Sequence, residues 1–344
     1  MGEAGRLEQR RKKRVIHHRT ITVEPAAAGQ RLDRFIAGQT GSPRAFVLEA
    51  IAAGHIRLNN RRANKGDKLA PGDTVQIEEL AEPADLRVLP DARVALTVVH
   101  EDADFLVLDK PAGMPVHPLK MGETGTLANG LVARYPELAD VGDRPLMAGL
   151  VHRIDTATSG LVLAARSAAA FETLRGQFRR HEVRKTYLAL VHGQVQSAGE
   201  IRSYLVHDPA DRGRMVVLPE EISARRRLER EKPLLAVTAY QSVRQFPSSR
   251  AATKPCSLLE ITIFTGVTHQ IRCQLAALGH PIVGDRTYGL GTPFDAALAR
   301  HVLHAAGIAF AHPRTAEPVR FESGLPKELE LLLEKLAAPT RPVP

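Results

Sequence analysis

Between residue 93 and about residue 340, apolar runs of β character and segments of helical spacing follow one another without strict alternation. The runs are Phe105–Leu108, Leu161–Leu163, Thr186–Val191, Ala236–Val243 and Leu258–Phe264. Helical spacing predicts helices over Ser167–His181 (Phe171, Leu174 and Phe178 on one face), over Thr268–Leu278 (Ile271, Leu275, Leu278) and over Pro326–Ala337. Gly279 stands where the second of these would end in a left-handed residue. A doubly wound sheet requires regular alternation of strand and helix, so this order predicts an α+β domain built on a mixed sheet. The composition supports such a core, with 44% hydrophobic and 25% charged residues in 344. That length suggests two domains and excludes disorder of the whole chain. Two cysteines cannot staple a chain this long, and no apolar run approaches the roughly 18 residues of a membrane span. The N-terminus is basic but has no apolar signal core. These features point to a cytoplasmic protein without a membrane partner. Cys256 and Cys273 have no ligand at metal spacing and read as reduced thiols, so no metal site is expected.

The net charge of +9 is unevenly placed. Residues 1–19 carry seven basic and two acidic side chains, +5 of the total. This segment reads as a disordered basic arm. It fits a polyanion partner, although charge alone leaves a solvated tail equally open. Residues 20–80 read as a small module. Thr20–Val23 alternates as a strand, and Leu32, Phe35 and Ile36 fall on one helical face. Ser42 and Pro43 stand as N-cap and first helical residue of a second helix, which Gly54 stops. His55–Leu58 then forms a strand into an Asn59-Asn60 turn, and Pro71-Gly72-Asp73 turns into a strand over Thr74–Ile77. Residues 81–92, with two prolines and no period, read as a linker, and 93–340 as the large domain. Residues 219–234, with Arg225, Arg226 and Arg227, read as an exposed insertion.

Four clusters concentrate the residues that carry chemistry. The densest runs from Val151 to Gly160 and presents Asp155 among Arg153, Thr156, Thr158 and Ser159 before a buried strand. An isolated turn of this kind usually has an aspartate capping its own backbone. The His-Arg-x-Asp spacing does not make a kinase loop, because no Asn follows and no Asp-Phe-Gly or glycine-rich phosphate loop exists. Thr265–Arg272 opens a helix, so its amides and Arg272 can hold an anion, and Gly279–Asp285 continues it. Lys110–His117 is a strand-to-turn transition. Lys185–Val191 places one Tyr, Tyr187, in an apolar strand.

These segments in this order, with His304-Ala305 and His312-Pro313, resemble the RluA-type pseudouridine synthases that modify ribosomal RNA. The resemblance covers about 90–325. The helix, helix, Gly, strand and Gly-Asp arrangement of 20–80 resembles the S-four-type RNA-binding module, a small α/β unit. Ile154 replaces the usual Leu, and Val267 stands where the family commonly has Arg or Lys. The resemblance implies an isomerase that breaks the bond from uracil to ribose, turns the base and rejoins it through carbon 5, without metal, redox or nucleotide cofactor. It implies that Asp155 is the catalytic carboxylate. Arg272 is its partner, keeping it ionised and oriented. Tyr187 stacks on the base and is placed to take the carbon-5 proton, and Arg153 fills the gap left by the flipped nucleotide. His152 and His269 are expected as structural partners of their loops. Expected RNA contacts are Arg153, Lys110 and His269 in the large domain. In the module they are Arg31, Arg34, Arg44, Arg57 and Arg61, with Arg62 beside them. The expected partner is ribosomal RNA or a large-subunit precursor, and the default assembly a monomer. A non-catalytic RNA-binding or ribosome-assembly factor is the competing reading, and Asp155, Tyr187 and Arg272 together argue against it as the sole role.

Overall fold

The computed structural model describes residues 15–81, 87–120, 122–143, 146–218, 233–248 and 254–338. Arg6 and Arg10–Arg14 of the expected arm, and residues 219–232 of the expected insertion, lie outside them. The chain divides into two compact units, 1–88 and 89–344.

In the first unit, strand β1 (Val15–Thr22) pairs antiparallel with β4 (Thr74–Ala81). The strands β2 (Ile56–Leu58) and β3 (Arg61–Arg62) complete the order β1-β4-β2-β3. β1 starts five residues before the expected Thr20, because β4 is long enough to give Val15–Arg19 backbone partners. Helices α1 (Leu32–Thr40) and α2 (Arg44–Ala53) bury Leu32, Phe35, Ile36, Val47 and Ile51 against Ile56, Val75 and Ile77 of the sheet. Pro43 is the N-cap of α2 rather than its first helical residue. Its ψ of 139° is extended, and Ser42 is buried outside the helix. Buried Asp33 receives Arg31 Nε at 3.0 Å and Arg44 Nε at 2.7 Å. These two guanidiniums hold its carboxyl below the usual range against the opposing effect of burial. Arg44 thus braces α2 against α1, Arg31 ties the start of α1 to the Lys65 carbonyl at 2.7 Å, both side chains still facing solvent, and Arg57 is paired with Glu78 at 2.6 Å. Exposed Arg34 and Arg61 have no side-chain partner among the described residues.

The second unit is built on a mixed sheet of ten strands, in the order β10-β9-β11-β12-β8-β13-β7-β6-β5, with β14 beside β13. They are β5 (Thr97–Glu101), β6 (Phe105–Lys110), β7 (Ser159–Ala165), β8 (Arg184–His192), β9 (Gly199–His207), β10 (Met215–Leu218), β11 (Leu234–Phe246), β12 (Cys256–Ile263), β13 (Leu303–Ala311) and β14 (Pro318–Glu322). β13 and β7 run parallel; the other neighbours are antiparallel. The α+β mixed sheet is as expected. The apolar runs of the sequence do not mark β5, β9, β10, β13 and β14. β13 shows why, for its run Leu-His-Ala-Ala-Gly-Ile-Ala-Phe-Ala has few of the β-branched residues that mark strands, and neighbours on both sides stabilise it. Helices α3 (Leu127–Arg134), α4 (Ala168–Arg179), α5 (Gln270–Ala277), α6 (Pro293–Ala296) and α7 (Lys327–Ala337) complete the unit. Ser167 caps α4 through a bond from the Ala170 amide. α7 buries Leu329, Leu333 and Leu336 against Leu190, Phe246 and Leu258.

β7 is buried along its whole length and approaches β13 closely at Gly160, whose φ is +112°. A Cβ there would lie 2.3 Å from the Ala305 carbonyl oxygen. Only glycine permits that contact, and the loop feeding β7 is thereby fixed over the entry to β13.

Candidate active site

Asp155 sits on the loop that enters β7, 26% exposed. The loop is tied at each end. Thr158 Oγ1 lies 2.8 Å from His301 Nε2, Ser159 Oγ 2.9 Å from His304 Nδ1, and Arg175 Nη1 donates to the Val151 carbonyl at 3.0 Å. Lys110 does not reach the surface. It is fully buried, and its Nζ donates to the carbonyls of Pro111 and Met114, both at 2.8 Å, and of Thr156 at 3.1 Å. The expectation of an RNA contact fails here because β6 delivers the side chain inward, where an ammonium is kept only by converging acceptors. Burial, then Arg300, push the Lys110 ammonium down to about 7, against Asp155 and Asp109. Its role is to join the turn after β6 to the residue following Asp155.

Two loops complete the site. After β12 the chain passes through Thr265–His269 into α5. His269 is left-handed at φ 53°, so the helix starts at Gln270 and not at the expected Thr268. Gln270 Oε1 accepts the Val267 amide at 3.2 Å and the Thr265 hydroxyl at 2.9 Å, so these loop donors are satisfied internally. Val267 packs with Met215, Cys273 and Tyr288. Arg272, 8% exposed, points its Nη1 to Asp155 Oδ2 at 2.9 Å. Its other edge grips Asp285, Nε to Oδ2 at 2.7 Å and Nη2 to Oδ1 at 2.9 Å. Burial lowers the Arg272 pKa, but Asp285 and then Asp155 outweigh it and raise it above its usual value. Burial raises the Asp285 pKa, and Arg272 more than reverses that. Asp285, fully buried, holds Arg272 in place yet reads in sequence only as part of a turn; its signal is a carboxylate in a Gly-Asp turn.

Tyr187 on β8 is 6% exposed and lines a narrow pocket of about 90 Å³ with Asp155, Lys185, Ile263 and Leu303. Burial, then the Asp155 charge, raise its pKa, so the side chain is a phenol near neutrality. Lys185, pushed down to about 8 by burial, donates to the Thr265 carbonyl at 2.8 Å. His152 Nε2 accepts the Leu163 amide at 3.0 Å. Burial, then Lys185, push its imidazole down to about 3, which keeps it neutral and structural. His269 makes a 3.1 Å contact to the Tyr288 hydroxyl and stands 3.9 Å from Asp155; burial lowers its pKa and favours the neutral ring. Arg153 is exposed beside Asp155, with Nη2 on the Thr268 hydroxyl at 3.1 Å. The structure therefore brings Asp155, Tyr187, Arg272, His269 and Arg153 together and leaves Lys110 beneath them.

A model of the family "RNA pseudouridylate synthase" matches residues 104–277, and one of the S4 domain matches 30–75. The chain is 38% identical over 319 residues to an RNA pseudouridine synthase of Chloroflexus aurantiacus, covering 92% of this chain and 93% of the relative. It is 35% identical over 330 residues to ribosomal large subunit pseudouridine synthase D of Xanthomonas campestris, covering 92% of each. Among solved structures, human RNA pseudouridylate synthase domain containing 1 superposes with a TM-score of 0.53 at 26% identity, over 74% of this chain and 99% of that one.

Proposed function

The chain belongs to the RNA pseudouridylate synthase family, and from that premise we propose that it isomerises specific uridines of large-subunit ribosomal RNA, with Asp155 as the catalytic carboxylate. The observation that carries this reading is the 2.9 Å pairing of partly exposed Asp155 with buried Arg272, at the mouth of the pocket that holds Tyr187. Breaking the bond from ribose C1′ to uracil N1 leaves positive character at C1′. A carboxylate there stabilises or traps that centre. The freed uracil turns and its C5 attacks C1′, releasing the carboxylate from any bond to that centre; the C5 proton passes to solvent and N1 takes one from solvent, so the product is an isomer of the substrate. Arg272 orients Asp155, and Tyr187 flanks the base as a neutral ring. The target bond is inaccessible in a stacked strand, so the uridine is flipped out, and exposed Arg153 is placed to fill the gap. His269 lines the entry. In the module, Arg34 and Arg61, without side-chain partners among the described residues, offer guanidiniums to phosphate, while Arg31, Arg44 and Arg57 contribute from their ion pairs. The same reading puts the enzyme in the cytoplasm as a monomer. No helix among the described residues is long and apolar enough to cross a membrane.

The test is site-resolved pseudouridine mapping of ribosomal RNA from cells lacking the protein. Wild type should restore the lost sites and Asp155→Ala none. Restoration of every site by the variant would remove Asp155 from the catalytic role.

A further inference from the structure

Two spaces meet at Asp155. The inner pocket takes the reacting base. Outside it opens a groove of about 510 Å³, lined among others by His117, Leu119, Arg286, Thr287 and Arg300. That volume lies within the ~300–1,000 Å³ of ligand sites. A flipped nucleotide remains bonded to its neighbours, so its flanking phosphates must lie in the space that continues from the pocket.

The charges of this groove are mostly spent on the protein. Arg272 between Asp155 and Asp285 leaves one net negative charge. Arg300 Nη2 is paired with Glu328 at 2.8 Å, and its Nη1 contacts the carbonyl oxygens of Ala157, His301 and Leu303. Burial, then Arg272, push the His301 imidazole down to about 4, so it is neutral. Without further cations the mouth would repel a phosphate. Arg153 and Arg286 reverse its sign, and Arg286, exposed, has no protein partner among the described residues.

Arg286 is also held in place. Its neighbour Asp285 accepts the amides of Thr287 at 2.8 Å and Tyr288 at 3.0 Å while gripping Arg272. On the other side, the Gly284 amide donates to Asp295 at 2.8 Å. Gly284 has φ +76°, and a Cβ on it would lie 2.5 Å from the Arg300 carbonyl oxygen. The residue that fixes Arg272 against Asp155 thus fixes the position of Arg286 as well.

We propose that Arg286 binds a backbone phosphate flanking the target uridine, and so registers the RNA strand against Asp155. This rests on the pseudouridine synthase reading. A guanidinium contact to phosphate carries affinity and salt dependence and no base preference.

The test measures binding of the full chain to an unmodified large-subunit ribosomal RNA transcript over a range of salt, with pseudouridine formation followed in parallel. Arg286→Gln should flatten the slope of log affinity against log salt by about 0.7–0.9 and raise KM more than it lowers kcat. Arg286→Lys should recover most of the slope. Arg320→Gln, outside the groove, should leave the slope as in wild type. An unchanged slope in a folded Arg286→Gln protein overturns the proposal, as does a loss confined to kcat. If wild type binds with the expected slope difference but forms no pseudouridine, the phosphate contact stands and the assigned reaction falls.

Discussion

Replacing Asp285 by Asn separates the shape of the site from its charge. The Asp285 Oδ1 accepts from Arg272 Nη2, Thr287 N and Tyr288 N, and Oδ2 accepts from Arg272 Nε at 2.7 Å. The Asn oxygen can keep the three donors on Oδ1. Its NH2 then faces the Arg272 Nε–H, donor against donor, and the guanidinium has to withdraw. One charge-assisted bond is lost, roughly 1.5–3 kcal/mol. Asp155 still neutralises the Arg272 charge, so the expected loss of stability stays within that range. The same withdrawal moves Nη1 away from Asp155 Oδ2, now 2.9 Å distant. A displacement of about 1 Å costs on the order of 100-fold in rate. Urea unfolding reads the first quantity, and single-turnover pseudouridine formation at saturating enzyme reads the second. If the folded variant reacts within about threefold of wild type, Asp285 does not aim Arg272 and the reasoning fails.

Gly160→Ala should be strongly destabilising, about 3 kcal/mol or more, since it combines a Cβ 2.3 Å from a backbone oxygen with a positive φ; a thermal midpoint close to that of wild type would contradict the close approach of β7 to β13. His301, 4% exposed, gives a pH dependence. Its pKa is about 4 in the fold against 6.5 for the free side chain, so between these values the unfolded chain binds a proton that the native state does not. Its stabilising contribution is present above pH 6.5 and is lost as pH falls toward 4, by up to ~1.4 kcal/mol per pH unit. His301→Gln should flatten the acid limb of urea midpoints between pH 7 and 4, and parallel limbs would show that His301 does not drive it.

Local chemistry is legible in the sequence itself. Ser167, Gly54 and the Asp155 turn act through their own or nearby backbone, so their types and spacing announce them. Long helices with a clean apolar face, such as α4, are equally readable, while β13 is not, because strands of small residues are stabilised by neighbours rather than by propensity. The pairing of Arg272 with Asp155, across 117 residues, is expected only through resemblance to a family.

The sequence by itself determined the α+β mixed sheet, because hydrophobic period and turn chemistry are properties of short segments. Tertiary structure alone decided what the charged side chains do. Lys110 reads in sequence like any surface lysine, and the fold surrounds it with three carbonyls. Arg31 and Arg44 read as phosphate ligands, and both turn to buried Asp33. Asp285 reads as a turn residue and holds the arginine of the site. A charge acts through whatever surrounds it in space, and no spacing along the chain records which distant carbonyl or carboxylate will arrive beside it.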